Sequence, residues 1–309
     1  MATLRDIRNR IGSVKNTQQV TRAMKMVAAA KLRRAQENIF KTRPYAFKIG
    51  EIIGHFKTQG HFDPSSHPLF LEREQVEGVL LIIVTGDRGL AGAFNSNVIK
   101  MAEQTIERIY ARQKATGSLY LVGVGRKGHE HFSKRGYQMV GDFRGVFREL
   151  NFGTAQKIGD LAIEGFLDNR WDEVRVVYNE FKNTIAQNRI VEPFLPIPEE
   201  HFLTPVMESE GVHEPDFKES LIADYIFEPD PRSILDVLVP RYLNYQLWRA
   251  LLESNAAEQG ARMVAMDNAT SNADELLRTL RLQYNRARQS AITTEILEII
   301  SGANALEAS

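Results

Sequence analysis

Residues 241–309 read RYLNYQLWRALLESNAAEQGARMVAMDNATSNADELLRTLRLQYNRARQSAITTEILEIISGANALEAS and contain no proline. Because proline interrupts helices more strongly than any other residue, this stretch is predicted to form one continuous helix. At about 1.5 Å of rise per residue, the helix would be roughly 100 Å long. It is therefore expected to extend beyond a single compact domain.

The inward-facing positions of this helix follow a heptad pattern that begins at Leu235. Position a of the heptad is occupied by Leu235, Tyr242, Arg249, Ala256, Met263, Thr270, Leu277, Tyr284 and Ala291. Position d is occupied by Leu238, Tyr245, Leu252, Gln259, Met266, Ala273, Leu280, Ala287 and Thr294. Only Arg249 among them is charged. A stripe this narrow and this long is typical of a coiled-coil seam, so the helix requires a partner helix.

The N-terminal segment provides that partner, because it has the same alternating spacing of three and four positions. Its stripe consists of Leu4, Ile7, Ile11, Val14, Gln18, Thr21, Lys25, Ala28, Leu32, Ala35 and Ile39. We predict that the two terminal helices pair antiparallel, with a break or bend at Pro44 and a bend near Pro240. The C-terminal helix is the longer one, so part of it should extend past the pairing or be covered by another element.

The segment between the two helices alternates predicted strands with predicted helices. Its first strand is VEGVLLIIV at 76–84, followed by the loop TGDRGLAGAFN at 85–95. This alternation predicts an inserted Rossmann-like α/β domain with a parallel or mixed sheet. The fold class is α/β, and the predicted domains are an N-terminal coiled-coil helix at 1–57, the inserted α/β domain with its exit loop at 58–228, and a C-terminal coiled-coil helix at 229–309.

The composition excludes several classes of protein. The chain has no cysteine, which excludes disulfides, thiol catalysis and thiolate metal sites. It has no apolar run long enough to span a bilayer, and its first residues lack an apolar leader. We therefore expect a bacterial cytoplasmic setting, with any membrane contact made through a partner.

Three glycines in the 85–95 loop are the strongest candidates for a ligand site. Gly86, Gly89 and Gly92 lie where phosphate-binding loops lie in α/β folds, but their spacing matches neither common phosphate-loop motif and the phosphate lysine is missing. We prefer the interpretation that they allow close packing of backbone and helix. The histidines form no metal-site motif, and no serine-nucleophile motif occurs, so no catalytic, cofactor-binding or metal-binding residue is predicted.

Charge is unevenly placed along a chain whose formal net charge is zero. Residues 1–43 contain eleven Lys or Arg against two acidic residues, a net charge of +9. A basic helix indicates an acidic partner, which is either an acidic protein loop or a nucleic acid. Two alternatives therefore stand beside a protein-binding helix: a coiled-coil nucleic-acid-binding protein, and an α/β enzyme that uses the 86–92 loop.

Four stretches of the sequence resemble the gamma subunit family of F-type ATP synthases. They are TRAMKMVAAAKLRRAQ at 21–36, DRGL at 87–90 with GAFN at 92–95, ARMVAMDNATSNA at 261–273, and YNRARQSAITTEILEIISGA at 284–303. The resemblance covers essentially the whole chain in the correct order. It implies a non-catalytic rotor of the central stalk, which transmits torque between a membrane ring of c subunits and a hexamer of three alpha and three beta subunits.

The resemblance also implies partners and contact residues. Met24, Lys25, Arg262, Gln289 and Thr293 match positions that contact the alpha/beta hexamer, and Lys31, Arg33 and Arg34 are further candidates for acidic beta loops. Arg43, Pro44, Tyr45, Tyr225, Phe227 and Glu228 match the foot, where the family contacts the c ring and the epsilon subunit. The implied location is peripheral, at the cytoplasmic face of the bacterial inner membrane.

Two features of the sequence limit or extend that resemblance. Ala91 stands where many family members have cysteine, and the chloroplast-type dithiol insertion is missing, so thiol control is not expected. Residues 292–306 leave the heptad pattern and are largely apolar, which is typical of a helix end held in an apolar sleeve.

Overall fold

The computed structural model describes residues 3–58, 67–198, 228 and 230–307 of the 309-residue chain. Two long helices form its ends: α1, Leu4–Thr58, and α6, Pro231–Glu307. Between them lie β1 Val79–Val84, α2 Phe94–Arg108, α3 Ala111–Thr116, β2 Leu119–Val124, α4 Arg126–Ser133, β3 Gln138–Met139, a 3₁₀ turn at Val146–Arg148, α5 Phe152–Leu167, β4 Glu173–Phe181 and β5 Gln187–Leu195. The predicted α/β fold class with two long terminal helices is confirmed.

The five strands form one mixed sheet in the order β3-β2-β1-β4-β5. Strands β3, β2, β1 and β4 run parallel, and β5 pairs antiparallel with β4. Strand β1 is buried along its whole length, because neighbours flank both edges and helices cover both faces. This explains why its sequence is uniformly apolar rather than alternating.

Each face of the sheet carries its own layer of helices. On one face, Leu81 and Ile83 pack with residues of α2 such as Val98 and Ile106. On the other, Leu80 and Ile82 belong to a larger core with residues of α5 and α6. The α6 residues of that core are Leu235, Val239, Leu243, Leu247, Ala250 and Leu251. The first third of α6 is thus covered by the sheet, as expected for the longer of the two terminal helices.

The chain divides into two compact units, residues 1–27 with 263–309 and residues 28–262. In the second unit, the α1 residues Leu32, Ala35 and Ile39 form an apolar cluster with Leu252 and Ala256 of α6. In the first unit, Thr21 of α1 is buried, as are Met266, Thr270, Ala273, Leu277 and Leu280 of α6. These residues all belong to the two predicted stripes, so the helix-pairing prediction is confirmed within each unit.

Both terminal helices continue through their prolines, so a break at Pro44, one of the two outcomes predicted there, does not occur. Proline removes one backbone donor and crowds the preceding turn, but apolar side chains are buried on either side of each position. Ile39 and Ile49 flank Pro44, and Val239 and Leu243 flank Pro240. Packing on both sides holds the two halves of each helix in register.

Asp230 and Pro231 define the start of helix α6. The carboxylate of Asp230 accepts hydrogen bonds from the Ser233 backbone N–H at 2.9 Å and from the Ser233 hydroxyl at 2.6 Å. Pro231 occupies the first helical position, where its missing N–H costs nothing. These hydrogen bonds also lower the pKa of Asp230, and the resulting charge is favourable at a helix N-terminus.

Candidate functional site

In the unit formed by residues 1–27 and 263–309, polar contacts fix the register of the paired helices. The Thr21 and Thr270 hydroxyl oxygens lie 2.8 Å apart, and Lys25 Nζ lies 2.6 Å from Asp267 Oδ1. Further along the same helices, Gln18 donates to Asp274 and Arg8 donates to the Tyr284 hydroxyl. Residues later in α1 contact residues earlier in α6, so the two helices run antiparallel in this unit.

The predicted contact residues Met24 and Lys25 occupy different positions on α1. Lys25 belongs to the stripe and is held by Asp267. Met24 lies beside the stripe and is half-buried, while the neighbouring Met26 and Val27 are exposed. Met24 is therefore placed at the margin of the helix pair rather than in its seam, which leaves part of its side chain accessible.

The basic face of α1 is only partly balanced by α6. Asp267 forms an ion pair with Lys25, and Asp274 accepts a hydrogen bond from Gln18. In the unit of residues 28–262, Lys31, Arg33 and Arg34 are exposed, and Arg33 pairs with Glu37 at 3.2 Å within the same helix. Exposed pairs of this kind contribute about 0.3–0.5 kcal/mol at most, so these cations remain available to an acidic partner.

The last described turns of α6 expose apolar side chains. Arg8 near the start of α1 contacts Tyr284, and residues 288–301 are exposed throughout. Gln289 and Thr293 lie one turn apart there, and the Thr293 hydroxyl donates to the Gln289 carbonyl at 3.0 Å. The exposed apolar residues are Ile292, Ile296, Leu297, Ile299 and Ile300, with exposed fractions between 48% and 66%. Such a cluster is typical of an interaction surface.

Hydrogen bonds to other parts of the chain hold the first residues of the 86–92 loop in place. The Asp87 carboxylate accepts from the backbone N–H groups of Arg126, Gly145 and Phe147 at 2.7–3.1 Å. Asn95 accepts from the Gly86 N–H at 2.8 Å and donates to the Arg88 carbonyl at 3.1 Å. Asp87 therefore joins three loops at the carboxyl edge of the sheet.

Helix α6 fills the crevice beside this loop, where ligands bind in many α/β folds. A Cβ atom on Gly86 would lie 2.8 Å from the carboxyl carbon of Glu258, and one on Gly260 would lie 3.2 Å from the Phe181 ring. Glu258 thus lies against the Gly86 backbone where a phosphate would otherwise approach. The geometry supports the interpretation that Gly86 serves close helix packing. Gly89 differs, because its Cβ would meet nothing within 4 Å.

Arg249, the one charged residue in the predicted α6 stripe, has its partners in the sheet. Arg249 forms a buried ion pair with Glu192 of β5 and donates to the Tyr178 hydroxyl at 3.1 Å. That hydroxyl in turn donates to the other oxygen of Glu192 at 2.7 Å. Burial raises the pKa of Tyr178, which stays protonated. The cluster joins α6 to the edge of the sheet, and its partners are too distant in sequence to be predicted.

The foot residues are only partly within the described chain. Arg43, Pro44 and Tyr45 lie inside α1, and Glu228 is exposed. Tyr225 and Phe227 fall outside the described residues. Among residues 3–58, 67–198 and 230–307, no group of His, Cys, Asp and Glu forms a metal site, and no helix is long and apolar enough to cross a membrane.

Two long terminal helices paired antiparallel, with an α/β domain between them, define a class that solved structures share. The rotor of the Euglena gracilis mitochondrial ATP synthase is similar, with a TM-score of 0.57 at 19% identity over 94% of this chain and 98% of that chain. The central stalk of the Tetrahymena thermophila mitochondrial enzyme gives 0.55 at 23% identity, over 81% of this chain and 99% of that chain. At these identities the likeness concerns the fold.

The sequence comparisons define the family. The family model described as ATP synthase matches residues 3–306. The ATP synthase gamma chain of Salinibacter ruber is 62% identical and that of Chloroherpeton thalassium is 51% identical, each with complete coverage of both chains. The chain belongs to the ATP synthase gamma chain family. It is a non-catalytic subunit, and the complex to which it belongs is peripherally associated with a membrane.

Proposed function

We propose that this chain is the rotor of the central stalk in an F-type ATP synthase and transmits torque between a c-subunit ring and a hexamer of three alpha and three beta subunits. The observation that carries the proposal is the pairing of α1 with α6, which runs antiparallel in the unit of residues 1–27 and 263–309 and forms an apolar cluster in the unit of residues 28–262. A torque-bearing element must resist twisting, and two helices with interlocking side chains resist it better than one. Proton flow through the membrane sector drives the rotation.

The surfaces described above support a division of contacts along the chain. The exposed cations Lys31, Arg33 and Arg34 suit acidic loops of the beta subunits, because clustered charge favours association. The hexamer contacts are Met24, Lys25, Arg262, Gln289 and Thr293. The exposed apolar end of α6 would lose its contact with water inside a sleeve formed by the hexamer.

A second set of residues forms the foot in this proposal. Arg43, Pro44, Tyr45, Tyr225, Phe227 and Glu228 contact the c ring and the epsilon subunit. The domain organisation that accompanies this function is 1–57, 58–228 and 229–309. The complex lies at the cytoplasmic face of the bacterial inner membrane, and the chain reaches the bilayer only through the c ring.

Assembly with purified alpha and beta subunits from the same organism tests the proposal. Native mass spectrometry should detect one copy of the chain with three alpha and three beta subunits, and ATP hydrolysis should appear with that species and not with the chain alone. The double variant Ile296→Gln/Ile299→Gln serves as a weakened comparison. If the wild-type chain does not assemble, and instead binds DNA or RNA with an affinity that falls steeply with salt, the nucleic-acid hypothesis replaces this one.

A further inference from the structure

The guanidinium of Arg262 is held on three sides by its own chain. Its Nη2 donates to Glu258 Oε1 at 2.5 Å and to the Gly89 carbonyl at 3.3 Å, and its Nη1 donates to Gln259 Oε1 at 3.3 Å. The Arg262 side chain is only 13% exposed. A long flexible side chain normally loses much rotamer entropy when it binds a partner. The Arg262 side chain is already ordered by its own chain, so binding would cost less of this entropy.

Glu258 is the most buried of these three acceptors. Its side chain is 5% exposed and lies against Gly86, whose missing Cβ leaves room for the carboxyl group. Oε1 accepts from Arg262, and Oε2 has no hydrogen-bond partner among the described residues. Burial raises the pKa of Glu258, and Arg262 is the main group that opposes this shift. The charge of Asp87 raises the pKa of Glu258, and the charge of Lys31 lowers it.

Two N–H groups of Arg262 have no acceptor among the described residues. A guanidinium carries five N–H donors, and three are directed to Glu258, Gly89 and Gln259 in the described chain. We propose that Glu258 is a positioning residue, which fixes Arg262 against the 86–92 loop so that its remaining donors are preset for a carboxylate of the alpha/beta hexamer. The inference rests on the proposed function and adds to it the residue that orders the contact.

A competition assembly experiment measures the effect. Isotope-labelled wild-type chain and an unlabelled variant compete for limiting alpha and beta subunits, and native mass spectrometry gives their ratio in the complex. Arg262→Gln is expected to reduce relative incorporation about tenfold. Glu258→Ala should reduce it about fivefold, and Glu258→Gln, which keeps an oxygen acceptor for Arg262, should restore it to within about twofold of wild type.

The double variant distinguishes positioning from general destabilisation. If Glu258 acts through Arg262, adding Glu258→Ala to Arg262→Gln should lower incorporation by less than about twofold more. A merely structural role would give the same additional loss in both backgrounds, and that result would overturn the inference. Glu173→Ala is the matched control, because it removes another intrachain Glu–Arg pair, Glu173 with Arg175, at the start of β4.

Failure of the inference and failure of the function have different signatures. If wild-type chain assembles but Arg262→Gln competes equally with it, Arg262 makes no hexamer contact and Glu258 has nothing to position, while the rotor function stands. If the wild-type chain does not assemble with alpha and beta subunits, both proposals are wrong.

Discussion

The hydroxyl oxygens of Thr21 and Thr270 lie 2.8 Å apart between the paired helices, and both residues are 9% exposed. Each hydroxyl also lies within hydrogen-bond distance of its own helix, at the Gln18 carbonyl for Thr21 and the Met266 carbonyl for Thr270. Two protons serve three contacts, so only one hydroxyl at a time donates across the helix pair. A polar pair in an otherwise apolar seam favours one register.

Replacement of either threonine by valine should therefore cost stability, while replacement of both should cost little. We expect about 1 kcal/mol for Thr21→Val or Thr270→Val, and less for the double variant, because two apolar groups of the same shape replace the pair. Urea unfolding followed by circular dichroism measures the difference. Thr279→Val is the control, since Thr279 is exposed and bonds only within its own helix. Additive losses in the double variant would contradict the prediction.

The buried ion pair between Arg249 and Glu192 gives a second prediction. Arg249→Met leaves the Glu192 carboxylate buried without its cation, which should lower the free energy of unfolding by about 3–5 kcal/mol. Addition of Glu192→Gln should recover much of that loss, because no uncompensated charge remains. Thermal and denaturant unfolding provide the measurement. Arg144→Met, which breaks an exposed pair with Asp142, should cost less than about 1 kcal/mol.

Asp172 predicts a specific loss of stability in acid. Burial raises its pKa, but hydrogen bonds from the Gly78 N–H, from Arg73 and from the Glu77 N–H outweigh burial and lower the pKa below its ordinary value of 3.8. A depressed folded-state pKa means that the stabilisation is complete above pH 3.8 and is lost as the pH falls through the folded-state pKa.

The difference in stability between wild type and Asp172→Asn should therefore be constant near neutral pH and shrink below pH 3.8. Equilibrium unfolding at a series of pH values tests this. Asp168→Asn is the matched control, because Asp168 is 66% exposed and forms only a loose pair with Arg170 at 3.6 Å. A difference that grows in acid would have the wrong sign and would refute the assignment.

Substitutions in the exposed end of α6 should impair assembly while leaving the stability of the chain nearly unchanged. Ile296 and Ile299 are 50% and 66% exposed, so their replacement by glutamine should change the melting temperature of the isolated chain little. Incorporation into the hexamer should fall about tenfold or more if these side chains enter an apolar sleeve. Leu282→Gln, at a residue 55% exposed in the part of α6 that follows Leu280, is the control and should compete normally. Equal competition by both variants would exclude the sleeve.

The terminal helices were predictable because their pairing depends on local periodicity. Spacing of three and four residues places Thr21 on one face of α1 and Thr270 on one face of α6 whatever the rest of the chain does. The helix start at Asp230 was predictable for the same reason, since its cap is made by Ser233, three residues away. The break at Pro44 was not correct, because packing on either side of a proline cannot be read from local sequence.

The sequence by itself determined the two long helices, their antiparallel pairing, the α/β class of the inserted segment and the family. Only the tertiary structure decided that Arg249 meets Glu192 and Tyr178, that Glu258 lies against Gly86, and that Arg262 reaches the Gly89 carbonyl. The physical reason is distance along the chain. Periodicity and capping act over a few residues, whereas these contacts join residues 57 or more positions apart and exist only after strand order and helix packing bring them together.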